Sequence, residues 1–259
     1  MTNVNHPVDT ESSLVFRPLG RKNAYEEVSE EIRRLILTQK LRPLHRLPTE
    51  RDLAEQFGVS RVVIREAIRS LERSGLLTVK KGPRGGIFVA QEYERPVADS
   101  IVNLLIGGSA RLDHLFEVRL QIEPYAARRA AELATQSDLD AIAAILRQGD
   151  EAGENLAEVR SHNIEFHRNV LRIAGNPVMA LLGDSVFQIL SERIEDVISG
   201  PTTLAALAMH KRIFHAITTR QPDEAEALIR KDIQNTGSRL SQLTPETLSQ
   251  LASKFPKPH

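Results

Sequence analysis

The helix start and stop signals between residues 49 and 75 constrain the fold of this chain more than any other feature. Thr49 precedes ERDLAEQF, and Asp52 follows three residues later, a pairing typical of a capped helix start. Gly58 is placed to end that short helix, and Ser60 is a second N-cap that opens RVVIREAIRSLERS. Gly75 closes the second helix where a left-handed residue is favoured. The pattern predicts two short helices joined by a tight turn.

The flanking segments extend this pair into a recognisable unit. Residues 24–39 have the apolar spacing of an amphipathic helix, and two prolines in LRPLHRLP (41–48) end it. After Gly75 come LLTVK (76–80) and IFVA (87–90), two β-prone runs around the basic turn KGPRGG. The order predicts a winged helix-turn-helix with a small β-hairpin wing over residues 21–91, preceded by a disordered tail over residues 1–20.

Charge is distributed unevenly along the 259 residues, although the formal net charge is zero. Residues 21–91 contain 15 Lys and Arg against 9 Asp and Glu, a net of +6, so the rest of the chain carries −6. A basic block on an acidic remainder is expected when one domain meets phosphate. The charge therefore favours double-stranded DNA as the partner of the N-terminal domain.

Composition excludes several other classes of protein. The chain has no Cys, so it forms no disulfide framework and no thiolate metal site. The first twenty residues are polar and lack the apolar stretch of a signal peptide, and no window approaches 18 uninterrupted apolar residues. These features predict a cytoplasmic protein with no membrane segment.

The predicted second helix of the pair presents its first turn to DNA if it enters the major groove. Arg61 and Arg65 are four apart and share a face, and arginine can bind guanine through two parallel hydrogen bonds. Taken singly, an arginine in such a position more often lies on a solvated helix face. The predicted DNA contacts, including those of the preceding helix and the wing, are Arg51, Ser60, Arg61, Val62, Val63, Arg65, Lys80, Lys81 and Gly82.

The remainder of the chain shows only helical signals. Helices are predicted over 97–106, 111–134, 137–152, 156–174, 177–199, 203–220 and 222–241. Gly and Pro separate most of them, as at Gly175-Asn176-Pro177 and Gly200-Pro201. The sequence thus predicts a mainly α protein, with a linker over 92–96, an all-α bundle of about seven helices over 97–243 and a loose tail over 244–259.

Residues 47–90 resemble the winged helix-turn-helix of the GntR family of bacterial regulators. The steps that carry the resemblance are Leu-Pro-Thr-Glu (47–50), Val-Ser-Arg (59–61) and Arg-Glu-Ala (65–67). One departure lies in the turn that would face the groove, because many members carry Thr-Pro or Thr-Thr where this chain has Val62-Val63. A methyl contact to thymine would there replace a hydrogen bond, so the operator read could differ from the family's usual one.

The helical part resembles the all-helical FCD-type ligand-binding domain of the FadR subfamily, through Glu117-x-Arg119 with Glu123-Pro124, Phe166-His167 and His210 with Ile213. Many members hold a divalent metal there, and the resemblance places its ligands at Asn163, His167, His210 and Asp232. Two of these differ from the usual set, with Asn for Asp and Asp for His. The resemblance implies Zn, Ni or Mn, and a polar pocket without an ion is the alternative.

Effectors of that subfamily are often small carboxylates, and Arg119 is a candidate clamp for one. The alternative for Arg119 is an intrahelical ion pair with Glu123, four residues on. The leading hypothesis is a homodimeric regulator, by the family's usual mode a repressor, that binds a palindromic operator and is released by a carboxylate. A metal-dependent hydrolase and an effector-independent DNA-binding protein remain the alternatives.

Overall fold

The chain divides into two compact units, with the boundary between Val89 and Ala90. The structure is a computed structural model that describes residues 23–83, 85–91, 94–193 and 200–240. The tails predicted over residues 1–20 and 244–259 lie outside the described residues.

The N-terminal unit has the predicted order of helix, short helix, turn, helix and hairpin. Its elements are α1 (Ala24–Leu37), α2 (Glu50–Phe57), α3 (Arg61–Arg73), β1 (Leu77–Lys80) and β2 (Gly86–Val89).

The predicted capping residues set the ends of α2 and α3. The Thr49 hydroxyl accepts a hydrogen bond from the Asp52 N–H (3.3 Å) and donates one to the Asp52 carboxylate (2.8 Å). Gly58 ends α2 at φ +65°, a conformation in which a side chain is strained. The Ser60 hydroxyl accepts from the Val63 N–H at the start of α3. The helix-turn-helix geometry is therefore fixed by local chemistry.

The wing is a two-stranded antiparallel sheet in which Leu77 pairs with Val89 and Lys80 with Gly86. Arg46, in the segment before α2, makes an isolated bridge to Phe88, and its guanidinium donates to the Gly85 carbonyl (2.8 Å). The hairpin is thus anchored to the segment that precedes α2. The buried apolar side chains of the three helices, both strands and the segment before α2 form one core: Val28, Ile32, Leu47, Leu53, Ala54, Ile64, Ala67, Ile68, Leu71, Leu77, Ile87 and Val89.

The C-terminal unit contains seven helices among its described residues, the number that the sequence predicts. They are α4 (Glu94–Ile106), α5 (Leu112–Leu133), α6 (Gln136–Glu151), α7 (Leu156–Ile173), α8 (Pro177–Arg193), α9 (Gly200–Thr218) and α10 (Pro222–Leu240).

Two predicted boundaries are wrong for the same reason. The linker predicted over 92–96 is too long, because α4 begins at Glu94 and takes in Pro96. The turn predicted at Gly200-Pro201 is instead the start of α9. The first backbone N–H groups of a helix have no partner within it, so a proline in the first turn loses no hydrogen bond. Proline here opens a helix and does not interrupt one.

α5 is the central helix of the bundle and packs against α7, α8, α9 and α10. Its buried face is rich in alanine, with Ala126, Ala127, Ala130 and Ala131 fully buried, which lets neighbouring helices approach closely. The same face carries two buried charged side chains, Arg119 and Glu123. The described helices include none long and apolar enough to cross a membrane.

Candidate functional site

The start of α3 is an exposed, basic part of the N-terminal unit. The side chains of Arg61 and Arg65 are 63% and 48% exposed, and Val62 is 73% exposed. The Ser60 cap fixes the direction in which this turn starts. Val62 is thus accessible for the methyl contact to thymine that the sequence predicts.

Val63 differs from its neighbour. Its side chain is half-buried and packs against the core of the N-terminal unit, and its N–H is the one that Ser60 caps. Of the two valines predicted to face the groove, Val62 is therefore the more accessible, and the contact of Val63 stays a prediction.

Glu50, the first residue of α2, lies against the arginines of α3. Its carboxylate accepts from Arg65 Nε (3.3 Å) and Nη2 (2.8 Å), and its Oε2 lies 3.9 Å from Arg61 Nη2. Hydrogen bonds from Arg65 hold the pKa of Glu50 below its ordinary value, so the carboxylate is ionised at neutral pH. Sequence reasoning missed Glu50 because its partner is 15 residues away.

The other predicted DNA contacts lie on α2 and on the wing. Arg51 follows Glu50 and its side chain is 81% exposed. Lys80 ends β1 with its ammonium 5.4 Å from the Phe88 ring centre, and Lys81 begins the exposed turn. Gly82 has φ +102°, which only glycine adopts without strain. The turn of the wing therefore combines two positively charged side chains, Lys80 and Lys81, with a glycine whose backbone is not covered by a side chain.

A cavity of about 270 Å³ lies within the helical bundle. Its wall includes all four residues predicted as metal ligands and the predicted effector clamp: Asn163, His167, His210, Asp232 and Arg119. Each of these is at most 8% exposed. Residues from α5, α7, α9 and α10 thus converge on one cavity.

Three of the predicted ligands form a tight cluster at this cavity. Asp232 Oδ2 lies 3.4 Å from His167 Nε2 and 3.4 Å from His210 Nε2. One potential ligand atom from each residue lies within 4.8 Å of the others. The His210 ring stacks on Phe166 at 4.3 Å and meets the His167 ring edge-on at 4.7 Å. Packing against neighbouring rings therefore sets the orientation of His210 in the cluster.

Arg119 forms the intrahelical ion pair that the sequence allowed as an alternative. Its Nε lies 2.6 Å from Glu123 Oε1, and its Nη2 lies 3.3 Å from His167 Nε2. Glu123 Oε2 in turn lies 2.6 Å from His167 Nδ1. Glu123 therefore holds both Arg119 and His167, and it is fully buried.

The ionisation of this cluster follows from burial and neighbouring charge. Burial opposes the charged form of Glu123, but Arg119 and His167 outweigh it and lower its pKa. Burial also opposes the imidazolium form of His167, yet Glu123 raises its pKa. Burial lowers the pKa of His210, which is therefore neutral with a lone pair available. The pKa of Asp232 is lowered against its burial by both histidines.

Several buried polar atoms at the cavity have no hydrogen-bond partner among the described residues, among them Asn163 Oδ1 and both ring nitrogens of His210. The Asn163 amide nitrogen donates to the Thr203 carbonyl (3.0 Å), which fixes the other end of that side chain. Buried polar atoms without a partner cost free energy, so such atoms point to a missing ligand. Two imidazoles, a carboxylate and an amide oxygen are a donor set that fits a divalent transition metal.

Glu123 is the second functional residue that sequence reasoning did not select. A carboxylate that accepts from the far nitrogen of a ligating histidine fixes its tautomer and ring orientation. The signal was present in the Glu123-Pro124 step of the family pattern. A second cluster with metal-type side chains, Asp113, His114 and Glu117, is more exposed, and Asp113 is already paired with Arg111.

Two family models match the chain. Residues 24–89 match the family described as bacterial regulatory proteins, gntR family, and residues 114–235 match the FCD domain. The HTH-type transcriptional repressor NanR of Escherichia coli (strain K12) is 28% identical over 243 residues, covering 87% of this chain and 88% of the relative. NanR of Enterobacter sp. (strain 638) is 28% identical over 237 residues, with the same coverage.

A solved structure shares the fold: a GntR protein of Streptococcus agalactiae superposes with a TM-score of 0.59 at 24% identity, over 83% of this chain and 99% of its own. The chain belongs to the GntR family of bacterial regulators and carries an FCD-type helical domain. It is a DNA-binding regulator of transcription and not an enzyme, so the hydrolase alternative is closed.

Proposed function

We propose that this protein is a homodimeric repressor that binds a palindromic operator and is released by a small carboxylate bound beside a divalent metal. The observation that carries the DNA half is the exposed turn Arg61-Val62 with Arg65 on a GntR-type helix-turn-helix. Repression follows the printed function of the NanR relatives. Since its partner is DNA, the protein acts in the cytoplasm.

A dimer is needed because one winged domain reads few base pairs. Specific sites must compete with a large excess of non-specific DNA, and two half-sites related by two-fold symmetry double the contacts. We therefore expect α3 of each subunit in the major groove, with Lys80, Lys81 and Gly82 of each wing at the phosphate chain or the minor groove.

The direct test of the DNA half is selection from a random-sequence duplex library with the purified protein, followed by measurement of the mass of the complex. The expected result is enrichment of a two-fold symmetric site bound by two protein chains. Failure to enrich any sequence would overturn the proposal. An enriched site that binds only one protein chain would contradict the proposed dimer.

The contribution of the wing lysines, Lys80 and Lys81, to the affinity for DNA can be tested. Lys80→Ala with Lys81→Ala is expected to weaken binding to all duplexes alike, because phosphate contacts carry no sequence information. Each lost phosphate contact lowers the slope of log affinity against log salt by about 0.9. Titrations at several salt concentrations measure this, with Lys211→Ala on α9 as the charge-matched control. A loss confined to the selected site would assign the lysines to base reading instead.

The metal half rests on the cluster of His167, His210 and Asp232 and on the unpartnered atom of Asn163. Zn, Ni and Mn suit imidazole and oxygen donors. When bound, the metal would supply a Lewis-acidic centre for an oxygen of the effector. Glu123 would orient His167, and the Phe166 ring would hold His210 in place.

Removal of a ligand tests the metal directly. His210→Ala is expected to reduce metal bound after dialysis from about one ion per chain to near zero, because the remaining donors are too few for tight binding. His114→Ala, in the exposed cluster on α5, is the matched control and should leave the stoichiometry unchanged. Elemental analysis measures both. Equal metal content in wild type and His210→Ala, with the fold intact by circular dichroism, would contradict the site.

The effector proposal rests on the cavity itself. Arg119 lies at its wall beside the cluster, and Arg168 of α7 lines it as well. A carboxylate would meet the metal and a guanidinium together. Thermal unfolding with a panel of small organic acids, with and without added metal, tests this. No shift with any acid would favour the effector-independent alternative.

Release from DNA then requires that the effector binds one state of the dimer better than the other. A ligand shifts a conformational equilibrium only by its difference in affinity for the two states. We expect the effector to favour a state in which the two α3 helices no longer match the half-site spacing.

A further inference from the structure

The Glu50 carboxylate is an unexpected charge for a surface that meets DNA. It lies at the start of α2, within 4 Å of the arginines on the first turn of α3. A carboxylate in this position repels phosphate and reduces the attraction that most DNA-binding surfaces rely on. We therefore looked for a contribution of Glu50 to DNA recognition that offsets this loss of attraction.

The geometry of the ion pair indicates that role. Arg65 uses Nε and Nη2, the side edge of its guanidinium, to bind Glu50 at 3.3 and 2.8 Å. The end edge, formed by Nη1 and the outer hydrogen of Nη2, is not used in this pair. The rigid fork of arginine can bind two acceptors on one edge while another edge is engaged.

Guanine offers N7 and O6 to the end edge of an arginine in the major groove. An unrestrained arginine side chain loses considerable rotamer freedom when it makes such a contact. Glu50 fixes the plane of the Arg65 guanidinium before DNA arrives, so this loss is reduced. The same carboxylate lies 3.9 Å from Arg61 Nη2 and adds a weaker restraint on that side chain.

We propose that Glu50 is a positioning residue for base reading: it orients the end edge of the Arg65 guanidinium toward the operator and reduces the affinity for non-specific DNA. This rests on the proposed function, in which α3 reads the major groove. Glu50 contacts no base. It acts through Arg65, and its charge lowers the attraction of the surface for any phosphate chain.

A purely local role for Glu50 predicts something different. An acidic residue in the first turn of a helix also favours the helix N-terminus electrostatically. If that were its whole role, replacing it would weaken the helix-turn-helix and lower affinity for every duplex equally. Positioning instead predicts opposite changes on the selected site and on mixed-sequence DNA.

The experiment compares wild type with Glu50→Gln on two probes: the site selected by wild type and a mixed-sequence duplex of the same length. Glu50→Gln is expected to bind the mixed duplex severalfold more tightly, since one negative charge is removed. The ratio of the two affinities is expected to fall about tenfold, within the range of one bidentate arginine contact. Glu55→Gln, exposed on the same helix, is the matched control and should leave the ratio unchanged.

A double-mutant cycle isolates the action through Arg65. In an Arg65→Ala background, Glu50→Gln should change the affinity ratio by less than about twofold, since nothing remains to position. An unchanged ratio for Glu50→Gln alone, an equal fall on both probes, or a full effect in the Arg65→Ala background would each overturn the inference. If wild type selects no sequence, the proposed function fails and not this inference alone.

Discussion

Replacing Glu123 by alanine is expected to lower the free energy of unfolding of the helical domain by roughly 3–5 kcal/mol, the cost of breaking a buried ion pair from one side. Arg119 would remain buried at 6% side-chain exposure with its carboxylate partner gone. His167 would lose the acceptor of its Nδ1 at the same time. The substitution therefore leaves uncompensated polar groups and not merely a smaller side chain.

Denaturant unfolding followed by circular dichroism measures this loss. Glu132→Ala is the matched control, because Glu132 pairs with Arg129 on the same helix at the surface, where such pairs contribute about 0–1 kcal/mol. A double replacement, Arg119→Met with Glu123→Leu, should recover much of the lost stability, since it removes both charges. Equal destabilisation by Glu123→Ala and Glu132→Ala would show that the buried network does not hold the bundle together.

Arg61→Ala or Arg65→Ala is expected to lower affinity for the selected operator by roughly 1–3 kcal/mol, with a much smaller effect on mixed-sequence DNA. Both side chains are exposed, so the fold has little reason to change. Fluorescence anisotropy at physiological salt measures the affinities. Arg73→Ala, in the last turn of α3, is the control with the same loss of charge. Operator affinity retained by Arg65→Ala would mean that α3 is not the recognition helix.

The features that could be predicted from sequence are those set by neighbouring residues. Thr49, Gly58 and Ser60 fix their helix ends through contacts within three or four residues, and the structure confirms each of them. The position of a proline relative to a helix is ambiguous in a sequence, because proline occurs both after the end of a helix and in its first turn. The sequence therefore predicts that Pro96 and Pro201 lie in connections, whereas both lie in the first turn of a helix.

Contacts between different helices could not be predicted from local sequence patterns. The Glu50–Arg65 pair joins two helices, and nothing in either segment indicates the other. The intrahelical spacing of Arg119 and Glu123 allowed their pair to be proposed, but not the participation of His167 from α7. The prediction that His167, His210 and Asp232 lie together rests on the family resemblance. These residues lie on three different helices, and no local pattern in the sequence indicates that they meet.

The stacking of Phe166 on His210 offers a way to detect binding in the cavity. The chain contains no Trp, so its intrinsic fluorescence gives little information about the helical domain. The two rings lie 4.3 Å apart and within 10° of parallel, so imidazole protons over the Phe166 face experience its ring current. Their resonances move upfield, away from those of the exposed histidines. One shifted imidazole signal in a proton spectrum would therefore report occupation of the cavity without any label.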